Sequence, residues 1–349
     1  MHTFPQPGGR HPTTGTAIPF VRANAFAPFI EFLREVGCPV ERCLDEARIP
    51  QAMLDNPEAL VPLASGYRFL ELAALREGID DVGVIVGQRL SAFDLGSYGA
   101  TLEKASTVHE YLQLGSSLMS VHSTATTISL RHEHGRLRVC QAHRGPAGPG
   151  RCIGDLFTLV ITLNMLRRFI GPTWCPVELR LMKGAESMLG GREVFGDTRI
   201  ITGQPYTSFT IATPVLQRRI SAPSRLVARR PICPGAAFAN IPVDFKGSVE
   251  QLIVALMPDG GPSIRVAAEV AGLTPRTLQR RLAEAGASYS DLVASARLRL
   301  AKQCLAESSM SITEIASSLG YREASNFARG FRGRTGLSPT AYRAMYKHA

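Results

Sequence analysis

One short pattern occurs twice near the end of this 349-residue chain, forty-eight residues apart, and it limits the fold more than any other feature. The first copy opens Ser263-Ile264-Arg265-Val266-Ala267-Ala268, the second Ser311-Ile312-Thr313-Glu314-Ile315-Ala316. Apolar residues fall at 264, 267, 268 and 271, and again at 312, 315, 316 and 319. Both sets follow the i, i+3, i+4, i+7 template of a helix with one buried stripe. A glycine closes each helix, Gly272 or Gly320, where the chain has to turn left-handed. A second helix follows at once, with Leu278 and Leu282, or Phe327 and Phe331, at i, i+4. Two helices joined by a short glycine turn make a helix-turn-helix. Between the copies, Tyr289–Glu307 reads as one continuous helix whose buried stripe is Leu292, Val293, Ala296, Leu300, Ala301, Cys304 and Leu305. At 1.5 Å per residue it spans about 28 Å, close to one turn of duplex DNA, roughly 34 Å.

In such a unit the second helix enters the DNA major groove. On a 3.6-residue wheel Arg276, Gln279 and Arg280 lie opposite Leu278 and Leu282. Ser325 and Arg329 lie opposite Phe327 and Phe331, with Asn326 on the edge. Arginine pairs bidentately with guanine, and glutamine or asparagine with adenine. A single such face would fit an ordinary solvated surface equally well; its repetition favours base contacts by these six residues. Thr277, Arg281, Arg332 and Arg334 are assigned to phosphates, which fix register and carry no sequence information. Charge agrees. The net charge is +10, and residues 263–349 hold 13 Lys or Arg against 6 Asp or Glu, leaving 26 against 23 for the rest. A basic end on a nearly neutral body is an electrostatic footprint of nucleic-acid binding.

Residues 245–343 resemble the DNA-binding domain of the AraC/XylS family of bacterial transcription regulators. The match is carried by Arg276-Thr277-Leu278-Gln279-Arg280-Arg281-Leu282, Ala301, Leu305 and Ser311-Ile312-Thr313-Glu314-Ile315-Ala316. It continues through Leu319-Gly320-Tyr321, Ser325-Asn326-Phe327, Phe331 and Gly336-Leu337-Ser338-Pro339-Thr340-Ala341-Tyr342-Arg343. One departure stands out: Arg322 occupies the position where the family usually has a serine capping the second recognition helix, with Glu323 next to it in the first turn.

The remainder has a different texture. Residues 24–120 read as helical, with Phe26, Phe29, Ile30 and Leu33, then Tyr67, Leu70 and Leu75, then 108–119 at helical spacing. Pro39, Pro50, Pro57 and Pro62 punctuate these segments. The period then changes to two over 126–132 and 136–142, separated by Glu133-His134-Gly135, which reads as a hairpin. A helix over 151–170 and strands over 177–182 and 208–212 complete an α+β domain of helices and a small, mostly antiparallel sheet. This part is similar to the N-terminal domains called arabinose-binding. The likeness rests on Leu95-Gly96-Ser97-Tyr98-Gly99, the helix start at 105–111 and the hairpin.

The expected organisation is a flexible N-terminus over 1–19, an α+β effector-sensing and dimerisation domain over 20–213, a linker over 214–244, and an all-α domain over 245–349. The linker carries five prolines and five arginines between 214 and 242, with a short helix near 215–220. A helix over 247–257 and a turn over 258–262 lead into the first repeat. Seven scattered cysteines lack CxxC or metal-ligand spacing, which suggests reduced thiols. Cys38 and Cys43 read as small core residues. The start lacks an apolar signal core, and the apolar run 156–166 is too short and polar to span a bilayer, so a cytoplasmic protein is expected.

Little points to chemistry. His132 and His134 at the hairpin tip have a spacing a metal could use, but no carboxylate pattern supports it. Gly96-Ser97-Tyr98-Gly99 is one residue short of a nucleophile elbow, and neither a P-loop nor a G-x-G-x-x-G fingerprint occurs. No catalytic residue, metal or cofactor is expected. The resemblance implies a transcription regulator, more often an activator than a repressor, with promoter DNA, RNA polymerase, a second copy of the chain and a small-molecule effector as partners. The rivals are an architectural DNA-binding protein with little sequence preference, or an enzyme with a DNA-binding tail.

Overall fold

The computed structural model describes residues 17–220, 242, 244–257 and 261–346. Most of the expected N-terminal tail, the linker over 221–241 and the turn at 258–260 lie outside the described residues. The chain divides into two compact units, one running from Pro19, the other comprising Ile18 and the chain from Pro242.

In the first unit, strands β1 (Phe20–Arg22) and β2 (Leu60–Pro62) form a small antiparallel pair. A five-stranded sheet has the order β3-β4-β7-β5-β6, made of Thr126–Glu133, Arg136–His143, Thr207–Ala212, Glu178–Met182 and Arg199–Gln204 in that order. The sheet is antiparallel except for the β5–β6 pair. Around these strands lie α1 (Ala27–Glu35), α2 (Val40–Glu46), α3 (Gln51–Leu54), α4 (Leu63–Glu77), α5 (Val82–Arg89), α6 (Gly96–Leu102), α7 (Val108–His122), α8 (Pro149–Ile170) and α9 (Thr213–Leu216).

The hairpin forms where its alternation places it. Glu133 pairs with Arg136, leaving His134 and Gly135 as a two-residue loop with φ of 43° and 74°, the left-handed pair that matches strand twist. Helix α8 is the axis of the core: Ile153, Leu156, Leu159, Val160, Leu163 and Leu166 are fully buried. Its start at Gly150 lies against α4 so closely that a Cβ there would stand 2.0 Å from the Tyr67 carbonyl oxygen. Any side chain at 150 would prise the two helices apart.

Three readings need correction. Leu75 is 67% exposed while Phe69, Leu70, Ala73 and Ala74 are buried, because five residues carry a helix about 140° past the Leu70 face. Strand β6 had no counterpart in the sequence reading, for Arg-Ile-Ile-Thr-Gly-Gln lacks alternation and sits at the sheet edge. The short helix expected near 215–220 spans Thr213–Leu216 instead, and Arg219 then bridges to Thr107.

The second unit is helical throughout its described residues: α10 (Phe245–Ala255), α11 (Ile264–Val270), α12 (Pro275–Glu284), α13 (Tyr289–Glu307), α14 (Ile312–Ser318), α15 (Ala324–Thr335) and α16 (Pro339–Tyr346). The two repeats close alike. Ala267, Ala268 and Ala271 are buried in one, Ile315, Ala316 and Leu319 in the other. Gly272 and Gly320 have φ of 68° and 76°. In both turns an N–H five residues on reaches back, Leu273 to Ala268 O at 2.8 Å and Tyr321 to Ala316 O at 2.9 Å, a helix-ending motif that needs the left-handed residue. Gly320→Val would force a β-branched side chain into that region, at a cost of roughly 1–2 kcal/mol. Circular-dichroism melts should show the second unit unfolding at a lower temperature; an unchanged melt would count against the turn.

Candidate nucleic-acid interface

The second helices of the two repeats are α12 and α15, and local chemistry starts each of them differently. Thr274 caps α12: its Oγ1 accepts the Thr277 N–H at 3.2 Å, and Pro275 occupies the first turn. The Thr277 hydroxyl lies 2.9 Å from the Thr274 hydroxyl, so Thr277 is half-buried and serves the cap. Helix α15 begins one residue later than the family comparison implied. Glu323, not Arg322, stands at its N-cap, without a side-chain bond to the backbone. The Glu323 carboxylate accepts instead from Ser325 Oγ at 3.1 Å.

Burial separates the faces cleanly. Leu278 and Leu282 are 0% and 1% exposed, Phe327 and Phe331 2% and 3%. Arg276, Gln279 and Arg280 on α12, and Ser325, Asn326 and Arg329 on α15, are exposed, as are Arg332 and Arg334. Two of these cations have partners within their own helix. Arg280 Nη1 donates to Glu284 Oε1 at 2.8 Å, and Arg329 Nη2 to Asn326 Oδ1. An exposed pair of this kind contributes about 0.2–1 kcal/mol, whereas a bidentate base contact is worth about 1–3 kcal/mol.

Arg281 has a different setting. Its guanidinium carbon lies 3.9 Å from the Phe245 ring centroid, and burial lowers its pKa from the ordinary arginine range. It fastens α12 to α10 and is half-buried.

The long helix α13 spans Tyr289–Glu307, as its periodicity predicts, with Leu300 and Cys304 half-buried. It is tied to both repeats by groups the sequence reading did not single out. At its start Tyr289 Oη donates to Pro262 O at 2.8 Å, just ahead of α11. Further along, Arg297 Nε donates to Leu319 O at 2.9 Å, and its guanidinium lies 5.2 Å from the Tyr321 ring centroid. Arg297 thus satisfies a carbonyl at the end of α14 and braces the turn before α15. The available signal was Arg297 one position past Ala296 on the buried stripe, too weak to name a partner twenty-two residues away.

With this geometry in place, the likeness to known proteins is informative. Residues 37–220 match the family model described as the arabinose-binding domain of AraC transcription regulator, N-terminal, which is more than half of the chain. The chain belongs to the AraC family. A helix-turn-helix domain model matches residues 267–345 of this AraC-family chain. It is 26% identical over 333 residues to the HTH-type transcriptional regulator VirS of Mycobacterium tuberculosis, covering 93% of this chain and 96% of that one. It is 23% identical over 334 residues to the ornithine utilization regulator of Pseudomonas aeruginosa, covering 95% and 97%. Among solved structures, CdpR from Pseudomonas aeruginosa is 23% identical with a TM-score of 0.39, covering 88% of this chain and 96% of that chain. The chain is a DNA-binding transcription regulator with an N-terminal domain of the ligand-responsive type. No helix among the described residues is long and apolar enough to cross a membrane.

Proposed function

We propose that each chain reads two successive major grooves of promoter DNA, α12 in one and α15 in the next. The observation that carries this is the pair of helices with exposed polar faces, braced from one uninterrupted 19-residue helix. Arg276, Gln279 and Arg280 contact bases in the first groove, and Ser325, Asn326 and Arg329 in the second. Arg332 and Arg334 hold phosphates, with Thr277 near the helix start. Arg281 reaches a phosphate only from its stacked position on Phe245, so its role is divided between DNA and packing.

The protein acts in the cytoplasm as a homodimeric activator that recruits RNA polymerase, and its work is binding, not catalysis. A small molecule in the first unit shifts it between DNA-competent and incompetent arrangements. To do so, the effector must bind the two unequally.

Two substitutions test the division of labour. Arg280→Ala should cost about 1–3 kcal/mol on the matched operator and relax preference at one base position. Arg281→Ala should weaken all sequences alike, reduce the salt slope, and also lower the melting temperature through the lost stacking. Anisotropy titrations on matched and scrambled duplexes at two salt concentrations separate these effects. Equal weakening of both duplexes by Arg280→Ala would remove its base-reading role, and indifference of the wild type to sequence would favour an architectural protein.

A further inference from the structure

The first unit contains a cavity of about 90 Å³ walled by β1, α1, α4, α6, α7, β3, β4 and α8. Phe26, Phe29, Leu70, Met119, Phe157 and Ile161 give it an apolar interior. None of its lining residues is Asp, Glu, Lys or Arg. Its two titratable nitrogen bases are held neutral: burial pushes His122 down to about 4, and burial also lowers His143. A charged guest would find no counter-charge on the wall and would lose its hydration without compensation.

Besides the Tyr98 hydroxyl, which donates to Gly115 O, and the Tyr111 hydroxyl, the polar groups on the wall sort into two sets. One set is closed upon itself. Ser123 Oγ lies 2.9 Å from Thr126 Oγ1, which lies 3.2 Å from His143 Nδ1, and His143 Nε2 lies 3.3 Å from Asp155 Oδ1 behind it. Asp155 in turn accepts from Gln141 and Thr207. On α8, Thr158 and Thr162 spend their hydroxyl protons on carbonyls one turn back, at 3.0 and 2.8 Å. The other set is open. The Tyr67 hydroxyl and His122 Nδ1 are buried without a hydrogen-bond partner, on residues only 6% and 7% exposed. Buried polar atoms left unpaired are costly and rare, so Tyr67 Oη and His122 Nδ1 call for an occupant that pairs with them; His143 Nε2, which also lacks a hydrogen bond, faces Asp155 instead.

We infer that this cavity is the effector site, and that its ligand is an uncharged, largely apolar small molecule with one hydroxyl or carbonyl group held by Tyr67 Oη and His122 Nδ1. This rests on the reading of the first unit as the ligand-responsive half, and it names the chemistry that half accepts. A sugar, despite the family's descriptive name, is a poor fit. A pentose carries four hydroxyls, each a donor and acceptor, and Tyr67 Oη, His122 Nδ1 and the Tyr111 hydroxyl are too few to satisfy them. The volume selects a slim molecule, since a cavity of about 150 Å³ is what admits benzene in a dry protein interior.

Three five-carbon probes hold size nearly constant while chemistry varies: 1-pentanol, pentanoate and L-arabinose. Saturation-transfer NMR on the full-length protein without DNA should show 1-pentanol bound and the other two not. Tyr67→Phe should weaken 1-pentanol about three- to tenfold, the effect of one lost hydrogen bond. It should leave the unliganded protein at least as stable, since it deletes an unpaired hydroxyl. Thr158→Met, which fills the cavity, should abolish the signal. Binding of pentanoate or arabinose equal to that of the alcohol would overturn the assignment, as would no alcohol signal on folded wild type. Undiminished binding in folded Tyr67→Phe would overturn it too. Promoter binding measured on the same preparation keeps the two readings apart: loss of one result leaves the other standing.

Discussion

Replacing Phe327 by alanine is expected to lower the melting temperature of the second unit sharply and to abolish specific DNA binding near physiological temperature. Phe327 is 2% exposed, and its ring lies 5.5 Å from that of Tyr321 and 5.7 Å from that of Phe331. It therefore ties the turn, the recognition helix and, through Phe331 and Tyr342, helix α16 into one aromatic cluster. Truncating a buried phenylalanine costs about 3–5 kcal/mol, because the lost transfer energy is joined by a cavity that the surroundings fill only partly. A domain of this size is stable by roughly 5–15 kcal/mol, so about a fifth of that margin or more disappears. At about 4–8 °C per kcal/mol the shift is large. Ser325→Ala, on the exposed side of the same helix, should stay within about 0.5 kcal/mol of wild type in stability while altering operator preference. Calorimetry and DNA titration on both variants make the contrast, and matching melts for the two would discard the assignment of faces.

Acidification should destabilise the first unit, and His122 should account for a separable share. This imidazole is buried against Tyr98, with ring centroids 5.3 Å apart, and burial, helped by the positive charge of Arg22, lowers its pKa to about 4. The unfolded chain binds a proton at His122 below about 6.5, while the folded chain does so only below about 4. Within that window the unfolded state holds more protons, so stability present above 6.5 is lost as pH falls towards 4, by roughly 3 kcal/mol. His143 acts in the same direction, and Asp155, raised by burial, acts in the opposite one. Glu314 of the second unit, held below the usual carboxylate range by the Ser311 backbone N–H, also loses its contribution on acidification. The specific measurement is therefore a difference. Urea melts of wild type and His122→Phe from pH 7.5 to 4.5 should converge in the first unit's transition as the wild type weakens. Parallel curves would mean that His122 does not titrate across this range in the way its burial dictates.

The recognition apparatus was legible because its signals are local. A buried stripe and a left-handed glycine are both specified within one or two turns of chain, so α11, α12, α14 and α15 could be placed from spacing alone. The hairpin at His134-Gly135 was readable for the same reason. Strand β6 was not, since an edge strand that pairs in parallel leaves no alternating pattern. Nor was the position of α15's cap, where the family comparison pointed one residue early.

By itself the amino-acid order determined which helix faces are apolar, which carry arginine, glutamine and asparagine, and where each turn must bend left-handed. Only the tertiary structure decided what joins across distance. It put Arg281 on Phe245, Arg297 on the carbonyl of Leu319, and Tyr67 beside the same cavity as His122. Periodicity reports that a residue is buried but not against what, because partners far apart in sequence meet only when whole elements pack, and no repeat in the chain encodes that meeting.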